Sequence, residues 1–256
     1  MSTGLGEFLR SRRERLTPEA VGLPLGRRRR TPGLRREEIA ELAGIGVDWY
    51  IRLEQGRAVR PSVATIDALA AALRLDDAER THLAVLAHQT ARPPFVRETV
   101  PPAVKRLIEG LDRPAYATGR RWDVLAWNDA ACELFTDFGA CAAEDRNILV
   151  YLLLDPATRR LFGRGWAVMA RRTVAQFRAA HDVFAGDPAF TGLAARLAAH
   201  SPEFTAWWED HDISVGRGSG QKTLHHPSRG VVTYDFANFQ TNDDDAVRLT
   251  LFAPTG

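Results

Sequence analysis

Arginine offers this chain its most distinctive chemistry. The guanidinium carries a fixed charge and a planar fork of donors that fits phosphate oxygens or the O6 and N7 edge of guanine. Residues 1–60 hold 13 arginines against 8 acidic residues, although the whole chain nets only +2. Lysine adds little, since Lys105 and Lys222 are the only two. Such clustering suggests a polyanionic partner for the first third of the chain. The arginines of interest are the run Arg27–Arg30 and the separate Arg36, Arg52, Arg57 and Arg60. The run either follows phosphates or a narrow minor groove, or forms a solvated loop. Arg57 and Arg60 either grip phosphate or remain solvated charges.

Other chemistries find less support. No glycine-rich phosphate loop of standard spacing, nucleophile elbow or His-Glu-x-x-His pattern occurs. Gly216–Gly220 reads as a hairpin loop. Cys132 lies in an apolar helix and reads as packed rather than nucleophilic. His225 and His226, with His211 nearby, either bind a transition metal or shape a turn before Pro227. Adjacent strand residues point to opposite faces, which weighs against a shared ion. The expectation is therefore no catalytic residue, no metal and no cofactor.

These residues need elements to position them. Leu5, Phe8, Leu9 and Leu16 mark a first helix, Arg35 to Ala43 a second and Val47 to Glu54 a third. Pro61-Ser62 opens a fourth and Asp76-Asp77 a fifth. Prolines 93, 94, 101 and 102 cannot continue a helix. The joint is placed there, giving domains 1–90 and 103–256 with a proline-rich linker over 91–102. Beyond it, Val104, Leu107, Ile108 and Leu111 form a helical stripe. Strands follow at Tyr116–Thr118 and Asp123–Trp127, with Asn128 capping a helix to Phe135. Helices are predicted over Asp155–Phe162, Trp166–His181, Pro188–Ala199 and Pro202–Asp210. Strands return at Ile213–Val215, Lys222–His225, Val231–Phe239 and Val247–Phe252. The fold class is an all-α domain of five helices plus an α+β domain with an antiparallel sheet flanked by helices.

Residues 36–55 carry the sharpest local pattern. Two helices crossing steeply through a short turn need a small residue at the crossing and a left-handed residue in the turn. Ala40 and Gly44 fit those places. Ile39, Ala43, Ile45, Tyr50 and Leu53 supply a small core, and Gly46 precedes the second helix. The N-terminal end of that second helix is the part of a helix-turn-helix that reaches base edges.

The run from Leu34 to Ala40, with Leu53-Glu54-Gln55-Gly56-Arg57, resembles the phage-repressor (XRE-type) helix-turn-helix. With Pro32-Gly33 and Pro61-Ser62 added, the stretch resembles bacterial regulators of the MmyB-like type. Trp127-Asn128, Arg146-Asn147, Ser201-Pro202-Glu203-Phe204 and His226-Pro227 extend the match. The resemblance implies a DNA-binding domain followed by a PAS-like ligand-binding and dimerisation domain. It implies that Val47, Asp48 and Arg52 face bases. Arg52 would bridge guanine, Val47 would meet a thymine methyl, and Asp48 would accept from cytosine N4 or cap nearby amides. Arg36 would meet phosphate or base. Trp49 either lies on the sugar-phosphate edge or packs in the small core.

The resemblance also implies a hydrophobic effector such as an acyl chain or fatty acid. Trp127, Phe135, Phe162, Trp166, Phe177 and Phe236 are the candidate lining, although any single aromatic is ordinarily core. Arg146 either anchors a carboxylate or makes a structural salt bridge. The expected partners are an operator duplex, a small effector and a second copy of the chain. With no apolar run of 18 residues and no secretory signal at Met1–Arg10, the expected location is cytoplasmic, away from membranes. The competing readings are a small-molecule-binding or catalytic protein using the helix-turn-helix as an interaction module, and a dimerisation scaffold with a filled core.

Overall fold

The computed structural model describes residues 4–24, 33–57, 61–88, 94–214, 216, 218–240 and 246–255. Arg27–Arg30, Arg60 and residues 91–93 of the expected linker lie outside that set. The chain divides into two compact units, Met1–Pro94 with His181–Asp187, and Phe95–Ala180 with Pro188–Gly256.

The first unit is helical. Its α-helices are α1 (Gly4–Arg15), α2 (Arg36–Leu42), α3 (Val47–Glu54), α4 (Val63–Ala72) and α5 (Asp77–Ala87), with a short 3-10 turn at Glu19–Val21. Local chemistry sets the boundaries. Ser62 and Asp76 cap α4 and α5, accepting from the amides of Thr65 and Glu79. Helix α2 ends where Gly44 takes φ +65°, a conformation that costs glycine little. Gly44 N then donates to Glu41 O and Ile45 N to Ala40 O, satisfying two orphan carbonyls. Phe8, Leu9, Ile39, Tyr50, Leu69 and Leu83 form the buried centre.

The second unit is α+β. It contains α6 (Pro102–Glu109), β1 (Ala115–Thr118), β2 (Val124–Trp127), α7 (Asp129–Leu134), α8 (Ile148–Leu154), α9 (Pro156–Phe162), all but the last three residues of α10 (Trp166–Val183), α11 (Pro188–His200), α12 (Pro202–Glu209), β3 (Ser219–His226), β4 (Gly230–Gln240) and β5 (Arg248–Pro254). The five strands form one antiparallel sheet in the order β2-β1-β5-β4-β3. Strand alternation gives this sheet two different faces. Ala115 and Ala117 of β1, with Leu249 and Leu251 of β5, pack beside Ile108 of α6. Tyr116 pairs with Thr250, Thr118 with Arg248 and Phe236 with Phe252 on the other face.

Three local expectations change. Helix α8 was not anticipated. Five of its seven residues are buried, so it has no polar face to set a helical period. Ile213 and Ser214 belong to no strand, Val215 lies outside the described residues, and the third strand begins at Ser219. The α6 stripe is also only half used: Ile108 is fully buried, while Leu107 remains 69% exposed.

Candidate DNA-reading surface and ligand cavity

Helix α3 turns one side inward and the other to solvent. Tyr50, Leu53 and Glu54 are buried, whereas Val47, Asp48 and Arg52 are exposed. Trp49 is half-buried and Arg57 exposed. The front of the helix thus presents an apolar group, a carboxylate and a guanidinium on one accessible side. Gly46 offers no side-chain cap, so the first amides of α3 remain without a side-chain acceptor from that position.

A buried ionic cluster holds α3 against its neighbours. The Glu54 carboxylate is 1% exposed. It accepts from Arg13 Nε at 3.0 Å and Nη2 at 2.9 Å, while Arg13 Nη1 donates to Leu34 O at 2.8 Å. It also accepts from Arg36 Nε at 3.0 Å and Nη2 at 2.8 Å. Burial pushes the Glu54 acid upward, but the two guanidiniums outweigh it and hold the carboxyl below its ordinary value. Arg36, expected on phosphate or base, is thus turned onto Glu54, although its side chain remains 41% exposed. That contact ties the start of α2 to the end of α3.

The inner face of the sheet borders a cavity of about 760 Å³. Helix α10 contributes Met169, Thr173 and Gln176, and helix α8 contributes Ile148, Tyr151 and Leu152. Phe135, Phe162 and Phe236, three of the candidate residues, lie on its wall. Phe135 and Phe162 stack with centroids 6.4 Å apart. Trp122, Phe138 and Tyr116 complete an aromatic surface that went unrecognised in the sequence.

The other four candidates sit elsewhere. Phe177 is fully buried against Phe190, with its ring packed behind Trp122. Trp166 is buried and donates its indole N–H to Leu152 O at 2.8 Å. Trp127 and Arg146 border a separate cleft with Asn128 and Asp129. There the Arg146 guanidinium lies 5.0 Å from the Trp127 ring and donates to Cys141 O at 3.0 Å. Apolarity told that these rings were inside; it did not tell which of them borders a void.

The cavity's polar groups come mainly from the strands. Thr250 Oγ1 donates to Asn238 Oδ1 at 2.8 Å. Burial pushes the nearby Tyr116 phenol up to about 12. Arg248 lies over the Trp122 ring at 5.5 Å, and burial pulls it below its ordinary value. Lys222 Nζ stands 4.8 Å from the Phe236 ring centre and 5.2 Å from that of Phe252. Burial pulls this ammonium down to about 8.

The sign of that shift gives a stability prediction. An ammonium whose folded value lies below 10.5 is disfavoured in the fold while charged. The penalty is complete below pH 8 and is relieved as pH rises from about 8 to 10.5. Lys222→Met is therefore expected to raise the melting temperature of the free protein at pH 7, read by calorimetry. The gain should vanish by about pH 10.5.

Residues 100–256 match the family model for the MmyB-like transcription regulator ligand binding domain, well over half of the chain. The chain belongs to that family. Residues 5–83 match a helix-turn-helix domain. No curated protein matches the chain. A helix-turn-helix followed by an MmyB-like ligand-binding domain makes this a ligand-sensing transcription regulator. Among the described residues no helix is long and apolar enough to cross a membrane, and no group of three His, Cys, Asp or Glu gathers as a metal site.

The residues that carried the MmyB-like resemblance act mainly as fasteners of the domain. Asn128 Oδ1 accepts from Ala115 N and Ala131 N, while Nδ2 donates to Leu111 O and Arg113 O. Asn147 caps α8 through Leu149 N and donates to Arg121 O and Asp123 Oδ1. Ser201 caps α12 through Phe204 N, and Glu203 pairs with Arg159 at 2.7 Å. His226 pairs its Nε2 with Glu133 O at 2.9 Å, while Nδ1 accepts from Ser228 N and Arg229 N, shaping the β3–β4 turn. A short polar side chain with several donors and acceptors closes a turn or a cap wherever the backbone leaves orphans.

Proposed function

We propose that this regulator reads a specific duplex sequence with α3, and that a small, largely apolar ligand in the cavity sets its affinity for that duplex. The observation that carries the reading is the division of α3: Val47, Asp48 and Arg52 face solvent while Tyr50, Leu53 and Glu54 anchor the opposite side. A helix held this way can enter the major groove with its front end toward base edges. Arg52 supplies the guanine contact, Val47 an apolar contact to thymine and Asp48 an acceptor. Arg57 adds phosphate neutralisation, as does Arg60. One small helical unit makes few phosphate contacts, so two copies on a near-palindromic site are the economical arrangement. Their half-sites then lie about one helical turn, or a multiple of it, apart. A duplex target places its work in the cytoplasm.

The test begins by selecting bound sequences from a random duplex pool with the purified protein. Arg52→Ala is then measured on the selected site by gel shift. A lost bidentate guanine contact removes about 1–3 kcal/mol, so affinity should drop roughly 5- to 150-fold and specificity relax at one position. Arg57→Ala should weaken all duplexes alike and shift the slope of log K against log salt by about 0.9. Unchanged binding by Arg52→Ala would overturn the docking of α3.

A further inference from the structure

The described residues lining the cavity include four basic side chains, Arg164, Arg172, Lys222 and Arg248, and no carboxylate. In a chain with 34 basic and 32 acidic residues, that one-sidedness is a property of the site rather than of composition. A concave surface with cations and no counter-charge favours an anion. Phe, Tyr and Trp rings also outnumber aliphatic side chains on the wall, seven to four. Aromatic walls favour a planar ring through offset or edge contacts, which an alkyl chain cannot reproduce.

The four cations are not equivalent. Arg164 is exposed. Arg172 already interacts within the protein. Arg248 lies over Trp122 near the Tyr116 phenol. Lys222 lines the cavity from β3 with its ammonium over the rings of Phe236 and Phe252, and among the described residues no carboxylate pairs with it. The pairings also separate the two strand cations. Lys222 pairs with Tyr234, which pairs with Pro254, whereas Arg248 pairs with Gln240. Six residue steps along β5 therefore separate their levels, roughly 20 Å at strand rise, so they occupy different ends of the cavity. Trp122 stands at the Arg248 end, whereas Phe236 and Phe252 lie at the Lys222 end, where Phe135 meets Phe252 at 5.1 Å and Phe162 stacks on Phe135.

We propose that the cavity binds a planar aromatic anion, its negative group paired with Lys222 and its rings against Phe135, Phe162 and Phe236. This rests on the reading of the second unit as a ligand sensor and narrows the ligand's class. A ligand anion would supply the counter-charge that the described lining does not.

Two fluorescent probes with one ring system separate the claims: anilinonaphthalene sulfonate, an anion, and phenylnaphthylamine, which lacks the sulfonate. Both are titrated into the full-length protein, with dodecanoate as a competing alkyl anion. The sulfonate should bind at least about tenfold more tightly than the neutral amine, the scale of one charge-assisted contact. Lys222→Met should remove that advantage and leave the neutral probe within about twofold, while Lys222→Arg, which keeps the charge, should retain most of it. Dodecanoate should displace the sulfonate only weakly. Melting curves show that each variant is folded. Equal binding of the two probes, an equal loss of both in Lys222→Met, or ready displacement by dodecanoate overturns the aromatic-anion assignment alone. Failure of both probes to bind overturns the ligand-cavity reading as well.

Discussion

Replacing Glu54 by glutamine is expected to cost the helix-turn-helix unit about 3–5 kcal/mol, because it leaves a buried guanidinium without its counter-charge. The carboxylate is 1% exposed and accepts four charge-assisted bonds from Arg13 and Arg36. Arg13 is itself only 7% exposed, so water cannot take over the missing contacts. Urea denaturation followed by helical circular dichroism reads the loss, and duplex binding should weaken with it because the cluster orients α3. The pH dependence has a definite sign. Glu54 is held below its ordinary value of 4.5 in the fold. Its stabilisation is complete above that value and is lost as pH falls through it and through the lower folded value. The glutamine variant should therefore have a flatter stability profile below about pH 5 than the parent. Exchanging both partners, Arg13→Met with Glu54→Leu, should recover much of the stability, since two apolar groups leave no buried charge unpaired. A stability unchanged by Glu54→Gln would mean that the cluster is decorative.

Phe177→Ala is expected to destabilise the second unit by about 3–5 kcal/mol, the cost of a buried aromatic deletion and the cavity it leaves. The ring is fully buried, stacked on Phe190 at 6.0 Å and 12° and packed on Trp208 at 5.6 Å. It also meets Trp122 edge-on at 6.4 Å, and Trp122 forms part of the ligand cavity wall. The variant should thus melt earlier, change the fluorescence of Trp122 and Trp208, and bind cavity probes more weakly. Phe236→Ala provides the contrast. Phe236 is half-buried and borders the void, so its loss should reduce probe binding more than stability. Equal melting of Phe177→Ala and the parent would show that the site had collapsed without cost.

The helical unit was legible because its instructions are local. Gly44 and Gly56 end helices by taking left-handed backbone, Ser62 and Asp76 begin them by accepting amides, and each signal acts within four residues. The exposed and buried sides of α3 followed from its helical period. Helix α8 escaped for the opposite reason: Leu149 to Leu153 are buried throughout, and a segment without a wet side has no period to read.

The cavity was harder to read. Phe135, Phe162, Trp166 and Phe177 share one apolar character, yet two line the void and two fill the packing behind it. The deciding quantity is the space left between α8, α10 and the sheet, which no window of sequence contains. Lys222 shows the same limit. Alternation could place it on a face of β3, but only the pairing of β3 with β4, and β4 with β5, brings the rings of Phe236 and Phe252 around its ammonium. The contact of Arg36 with Glu54 was equally illegible, because the two lie 18 residues apart on different helices.

What the sequence alone determined was the helices of the first third, most of the helices and strands of the remainder, and the two-part layout that follows from a charged, helical first third and a mixed remainder. Those are short-range properties of capping groups, glycines and hydrophobic period. Tertiary structure alone decided which arginine is tied down, which aromatic borders empty space and which lysine is left without a counter-charge among the residues described. Each of those outcomes depends on side chains meeting across many residues, where burial strengthens a charge pair and penalises an unpaired charge.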